Sequence, residues 1–231
     1  MNTPPAEDHT PGPSIAQPKA RYRIKFSKVG ALRFTSHLDL ARIWERSLRR
    51  AGVPLAYSQG FNPRPQLQLA AALPLGYESD VEIIDMWTEG DLADLAAVHN
   101  RIQEAVPDGL RVSHIEAVEL KGPALQTLTT SATYLVELSP SSDIEALQRN
   151  VRDLLAQASE LRIRRDREYD LRPLIYELIL TYGTPPVLEM VLALSQDRGT
   201  GRPDEVLDAL GIDPNETRIR RIHIDFGDQL R

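Results

Sequence analysis

Residues 56–76 read AYSQGFNPRPQLQLAAALPLG, and the fold turns on whether this stretch is one irregular segment or a stiff loop between regular elements. Gly60 tolerates backbone angles that a side chain forbids, and the rings of Pro63 and Pro65 fix φ and each remove an N–H donor. A rigid loop is the consequence. After it, Leu67, Leu69, Ala71 and Leu73 alternate with polar or small residues, the period of a half-buried strand, and VEIIDMWTE (81–89) reads as another. Before it, SHLDLARIWERSLRRAG (36–52) reads as a helix. Ser36 can cap its start with Asp39 three residues on, and Gly52 stands where a left-handed C-terminal residue belongs. Leu40, Trp44, Leu48 and Ala51 make an apolar stripe, and Arg42, Arg46 and Arg49 line another face, so the helix is expected to pack on a sheet.

Working outward, Tyr22, Ile24 and Phe26 alternate with Arg23 and Lys25 as a strand, residues 91–105 have helical spacing, and LRVSHIEAVEL (110–120) closes the unit as a strand. The order is strand, helix, strand, strand, helix, strand. It returns in ATYLVELS (132–139), SDIEALQRNVRDLLAQA (142–158), LIYELILTYG (174–183), VLEMVLALS (187–195), RPDEVLDALG (202–211) and RIRRIHIDF (218–226). The expected class is α+β, with two tandem ferredoxin-like (βαββαβ) halves over residues 21–122 and 123–231. The repeat is one of pattern, with little identity between the halves. An Arg-rich insertion at 161–172 is expected to form an extra hairpin. Residues 1–20, rich in proline and small polar residues, are expected to be a disordered tail.

Composition bounds the chemistry. The 231 residues contain no cysteine, which excludes disulfides, thiolate metal sites and iron–sulfur ligation within this chain. The five histidines show no HxH or HxxxH spacing, so no metal or cofactor is expected of the chain itself. A net charge of −6 argues against a broadly basic surface, and any affinity for RNA must reside in a patch. Neither a membrane span nor a secretory signal is legible, so the expected location is cytoplasmic. No phosphate-binding loop, dinucleotide fingerprint or serine-hydrolase elbow is present.

Three groups of residues can carry function. In the loop, either GFNPRP is a rigid connection whose Phe61 plugs the core, or it presents Asn62 and Arg64 preorganised for a ligand. At the helix start, His37 is either a solvent-facing first-turn residue beside its caps or a group that binds phosphate or acts as a general base. The arginines at 162, 164, 165 and 167, and at 218, 220 and 221, either form an RNA track or are neutralised by the interleaved Asp166, Glu168 and Asp170. The expected substrate-binding set is Arg33, His37, Asn62 and Arg64, converging on one face, with His37 the candidate catalytic residue.

Read together, HLDL, RRAG, GFNP with its second proline, and LPLG followed by ES closely resemble the radical SAM-linked proteins, the domain of unknown function 2344. These motifs span residues 33–86. One departure is Gln66, where relatives usually carry a basic residue, so no phosphate contact is assigned there. The resemblance implies a radical SAM enzyme as partner, and the missing cysteines fit a division in which that partner holds the iron–sulfur cluster. The tandem architecture also resembles the RNA-binding, repeat-processing proteins of CRISPR systems. The expected function is that of a non-catalytic accessory protein that binds or presents the substrate of a radical SAM enzyme, with RNA as substrate. The alternatives are a metal-independent endoribonuclease using His37, and a protein-interaction scaffold without nucleic acid.

Overall fold

In the computed structural model, which describes residues 20–195 and 197–227, the first alternation becomes strand β1 (Ala20–Lys28), with Tyr22, Ile24 and Phe26 buried. Helix α1 (His37–Arg50) follows. Ser36 accepts from the Asp39 amide, and Gly52 lies just past the C-terminus at φ +68°. Leu40, Trp44, Leu48 and Ala51 are buried, and Phe26 meets Trp44 edge to face at 4.7 Å. Next come β2 (Leu67–Leu69), β3 (Glu78–Thr88), α2 (Leu95–Ala105) and β4 (Leu110–Val118). The sheet order is β4-β1-β3-β2, every neighbouring pair antiparallel.

A short helix, α3 (Leu125–Leu128), leads to β5 (Ser131–Glu137), α4 (Ile144–Ala156), the hairpin β6 (Leu161–Arg164) and β7 (Arg167–Asp170), then β8 (Ile175–Thr181) and β9 (Val187–Ser195). The insertion expected at 161–172 is thus a hairpin. The chain continues through β10 (Gly199–Thr200), α5 (Pro203–Leu210) and β11 (Arg218–Asp225). Here the order is β11-β5-β9-β8, again antiparallel between neighbours. The two sets fuse where β11 runs parallel to β3 at Arg220–Glu78 and Arg221–Ser79, giving one nine-stranded mixed sheet in an α+β protein. No helix among the described residues is long and apolar enough to cross a membrane. The tail expected over residues 1–20 lies, except for Ala20, outside the described residues.

Two features depart from the alternation pattern. Arg23, expected on a polar face, is buried together with Arg21 because Asp85 accepts from both, at 2.9 and 2.8 Å, while Arg21 also donates to the carbonyls of Gly122 and Pro123. The connection between the halves therefore covers that face of the sheet. The strand expected to continue through Leu73 stops at Leu69. Residues 72–77 then leave the first sheet, and Leu73 and Tyr77 join the core of the second half with Tyr134, Leu188 and Leu207. The Tyr77 hydroxyl donates to Asp204 at 3.0 Å and accepts from the Asp204 amide, pinning this segment to the start of α5.

Candidate functional site

The 58–64 loop is closed by its own backbone: the Ser58 amide donates to the Arg64 carbonyl at 2.8 Å, and the Arg64 amide donates to Ser58 Oγ at 3.1 Å. Gly60 supplies the turn at φ +138°. Phe61 is fully exposed at the tip, so it does not plug the core, and Asn62 and Arg64 are exposed beside it. The base of the loop is tied to the C-terminal end of α1, where Arg49 donates to the Tyr57 hydroxyl at 3.1 Å. His37 stands at the opposite end of the same helix. With about 1.5 Å of rise per residue, His37 and Arg49 are roughly 18 Å apart along the axis. Among the described residues no hydrogen bond or ion pair links Asn62 or Arg64 to Arg33 or His37. Arg33 and His37 lie on the start side of α1, and Asn62 and Arg64 on the loop tied to its end.

His37 belongs to a buried polar junction. Lys28 and Glu82 are each 1% exposed and Arg221 is 0% exposed. Arg221 donates to Glu82 at 2.6, 2.7 and 2.9 Å and to the Ala72 carbonyl at 3.4 Å, while Lys28 Nζ donates to the Thr35 carbonyl at 3.1 Å. His37 Nδ1 is buried without a hydrogen-bond partner among the described residues. Burial lowers the His37 pKa, the Lys28 charge pushes the same way, and Glu82 opposes both, so the imidazole is neutral at pH 7. Burial also lowers the Lys28 pKa, against the pull of Glu82. Burial works against the Arg221 charge too, but Glu82 and Tyr134 together outweigh it and hold the guanidinium above its ordinary range. Glu82 thus pairs directly with Arg221 and acts on Lys28 through space. A sequence signal for this junction existed in Glu82, a charge inside the apolar run VEIIDMW, but its partner is 139 positions away.

Next to this junction a cleft of about 2180 Å³ opens where the halves meet, and His37 does not line it. Arg33, Arg164, Arg165, Arg167, Arg202 and Arg218 do. Three of the six are neutralised: Arg164 by Glu205, Arg202 by Asp204 at 2.7 Å, and Arg218 by Glu78 at 3.5 Å. Arg33, Arg165 and Arg167 have no acidic partner among the described residues. Arg33 instead lies over the Phe34 ring at 4.7 Å. Glu137, Asp208, Asp213 and Glu216 also line the cleft, and its unpaired positive charge is that of Arg33 and of Arg165 and Arg167 on the β6–β7 hairpin. The two arginine clusters of the sequence have separate fates. Arg165 and Arg167 face the cleft with Arg218, whereas Arg220 pairs with Glu78 at 3.2 Å and Arg221 is sealed inside the molecule. Among the described residues, no group of three or more histidine, aspartate or glutamate side chains is placed to hold a metal ion.

Residues 21–203 match a family described as an uncharacterized protein conserved in bacteria, DUF2344. No curated protein matches the chain. Among solved structures, it is similar to a chain of the crystal structure of a Cbf5-Nop10-Gar1 complex, with 9% identity and a TM-score of 0.45 over 88% of this chain and 48% of that one. The protein therefore spans about half the length of that neighbour, 48% of it. A second match is ferric DtpA from Streptomyces lividans, with 12% identity and a TM-score of 0.26 over 92% of this chain and 90% of that one. Similarity this low carries no functional argument.

Proposed function

The chain belongs to the DUF2344 family, and on that premise we propose that it is a non-catalytic accessory protein that binds RNA in the arginine-walled cleft and presents it to a radical SAM enzyme. The carrying observation is that Arg33 and, more than a hundred residues further on, Arg165 and Arg167 line one cleft without acidic partners among the described residues. Guanidinium groups bind phosphate bidentately and stack on bases, the chemistry an RNA strand offers. A chain without cysteine leaves the iron–sulfur cluster to its partner. The body that frames the cleft is read as two tandem ferredoxin-like halves, supported by the orders β4-β1-β3-β2 and β11-β5-β9-β8 with every neighbour antiparallel. This role places the protein in the cytoplasm.

A nuclease reading through His37 has less support, because His37 lies outside the cleft and its Nδ1 is enclosed. The exposed Phe61, Asn62 and Arg64, on the loop tied to the other end of α1, supply a second contact in this proposal, toward the enzyme.

The test is RNA binding by fluorescence anisotropy across a salt series, for the wild type and for the Arg33→Ala, Arg165→Ala, Arg167→Ala triple variant. Three lost phosphate contacts reduce the salt slope by about 2 for a single strand, from roughly 0.7 per contact. An unchanged slope removes the cleft from RNA binding, and failure to co-purify with a radical SAM enzyme removes the accessory role.

A further inference from the structure

A second pocket, of about 670 Å³, opens beside the cleft and shares Arg164, Arg167 and Thr200 with it. Its surface is of another kind. Pro173, Leu174 and Tyr176 give it an apolar floor, and Arg167 and Arg198 stand at its rim without acidic partners among the described residues. The other aromatic in the pocket, Tyr169, is already engaged: Arg164 lies over its ring at 4.5 Å, and its hydroxyl donates to Glu205. Tyr176 is free. It is 47% exposed on β8, which pairs with β9 alone, and no other ring or cation lies against it among the described residues.

An open aromatic face over an apolar floor, between two unpaired guanidinium groups and continuous with a phosphate-binding wall, is complementary to one nucleotide whose base has left the stack. Its volume lies within the ordinary range for a small-ligand site, roughly 300 to 1,000 Å³. We propose that this pocket takes an unstacked base on Tyr176 while Arg165 and Arg167 hold the flanking phosphates, so that the RNA bound is single-stranded. The inference rests on the RNA reading of the cleft and narrows it. In an A-form duplex the bases are stacked and turned inward, and none can reach the ring. Any base has a π-face, so the site is tolerant of sequence.

The experiment compares a fluorescein-labelled oligouridine, which has little structure of its own, with a fully paired RNA duplex of the same length, using wild-type protein, Tyr176→Ala and Tyr176→Phe. Wild type is expected to bind oligouridine at least about tenfold more tightly than duplex, and Tyr176→Ala to lose about tenfold on oligouridine alone, from the usual worth of one base–aromatic stack. Tyr176→Phe keeps the ring and should keep the affinity. The salt slope of Tyr176→Ala should equal that of wild type, because no phosphate contact is lost. Equal affinity for the two RNAs, or no loss in Tyr176→Ala while the arginine triple variant still weakens binding, overturns the base pocket and leaves the RNA cleft standing. If wild type binds neither RNA, both readings fall.

Discussion

Replacing Glu82 by glutamine tests whether the buried junction is an electrostatic unit. The change is nearly isosteric, so it leaves packing in place and removes the carboxylate paired with Arg221, which is 0% exposed, and felt by Lys28, which is 1% exposed. Removing one partner of a buried pair costs about 3 to 5 kcal/mol, because the remaining charge is left without compensation. Lys28 also loses the pull of Glu82, so the cost should not fall below that range. Domains in this size range lose about 2 to 4 °C of melting temperature per kcal/mol, so Glu82→Gln should melt roughly 6 to 20 °C below wild type in calorimetry. Glu116→Gln is the control: its pair with Lys25 is 3.5 Å long with both side chains more than a third exposed, and it should cost no more than about 1 kcal/mol. A double variant, Glu82→Leu with Arg221→Met, removes both charges of the pair and should recover stability relative to Glu82→Gln. The reasoning is refuted if Glu82→Gln melts within the range of the control, or if the double variant loses the sum of two single losses.

The pH dependence of stability should carry the signature of His37. Its folded-state pKa lies below 6.5, so the native state binds fewer protons than the unfolded chain, and stability falls as pH drops from 6.5 through the lowered value. That window opens at 6.5, above the 4.5 below which Glu78, its pKa lowered by the Gly30 amide, Arg218 and Arg220 against the opposing effect of burial, loses its contribution. His37→Gln should flatten the upper segment of a urea-midpoint profile and leave the lower one, and an unchanged upper segment assigns the effect elsewhere. Gly109→Ala should be costly for two separate reasons. The residue sits at φ +94°, and an added Cβ would meet the Val29 carbonyl oxygen at 2.6 Å, so a loss above about 2 kcal/mol is expected and a loss under half of that would contradict the packing.

Helix α1 was legible because its signals are local: the Ser36 cap, the Leu40–Trp44–Leu48 stripe and Gly52 lie within one window of sequence. The paired order of elements was legible for the same reason. What sequence reasoning missed depends on partners far away. Arg23 looks like part of a solvent face until Asp85, 62 positions on, is seen to accept from it and from Arg21. The run ending in Leu73 looks like continued strand, but its later residues are drawn to the other half's core by Tyr77 and Asp204. The expected meeting of His37 with Asn62 and Arg64 treated neighbours in sequence as neighbours in space, although a whole helix lies lengthwise between them. The arginines were visible as clusters, yet their alternate fates, pairing, burial or display, follow from which carboxylate each strand register delivers.

The junction of β11 with β3 sets a timetable for synthesis. Arg221 follows Glu82 by 139 residues, so at about 5 to 20 residues per second the carboxylate waits roughly 7 to 28 seconds on the ribosome before its counter-charge exists. During that wait β3 can pair with β1 and β2, but the edge that β11 will occupy is open, and the arginines that will pair with Glu78 and Glu82 do not yet exist. Two carboxylates on one strand disfavour pairing with a neutral strand from another chain, and they favour the one strand that arrives carrying Arg218, Arg220 and Arg221. The same charges that close the finished sheet thus guard its unfinished edge while the chain is being made.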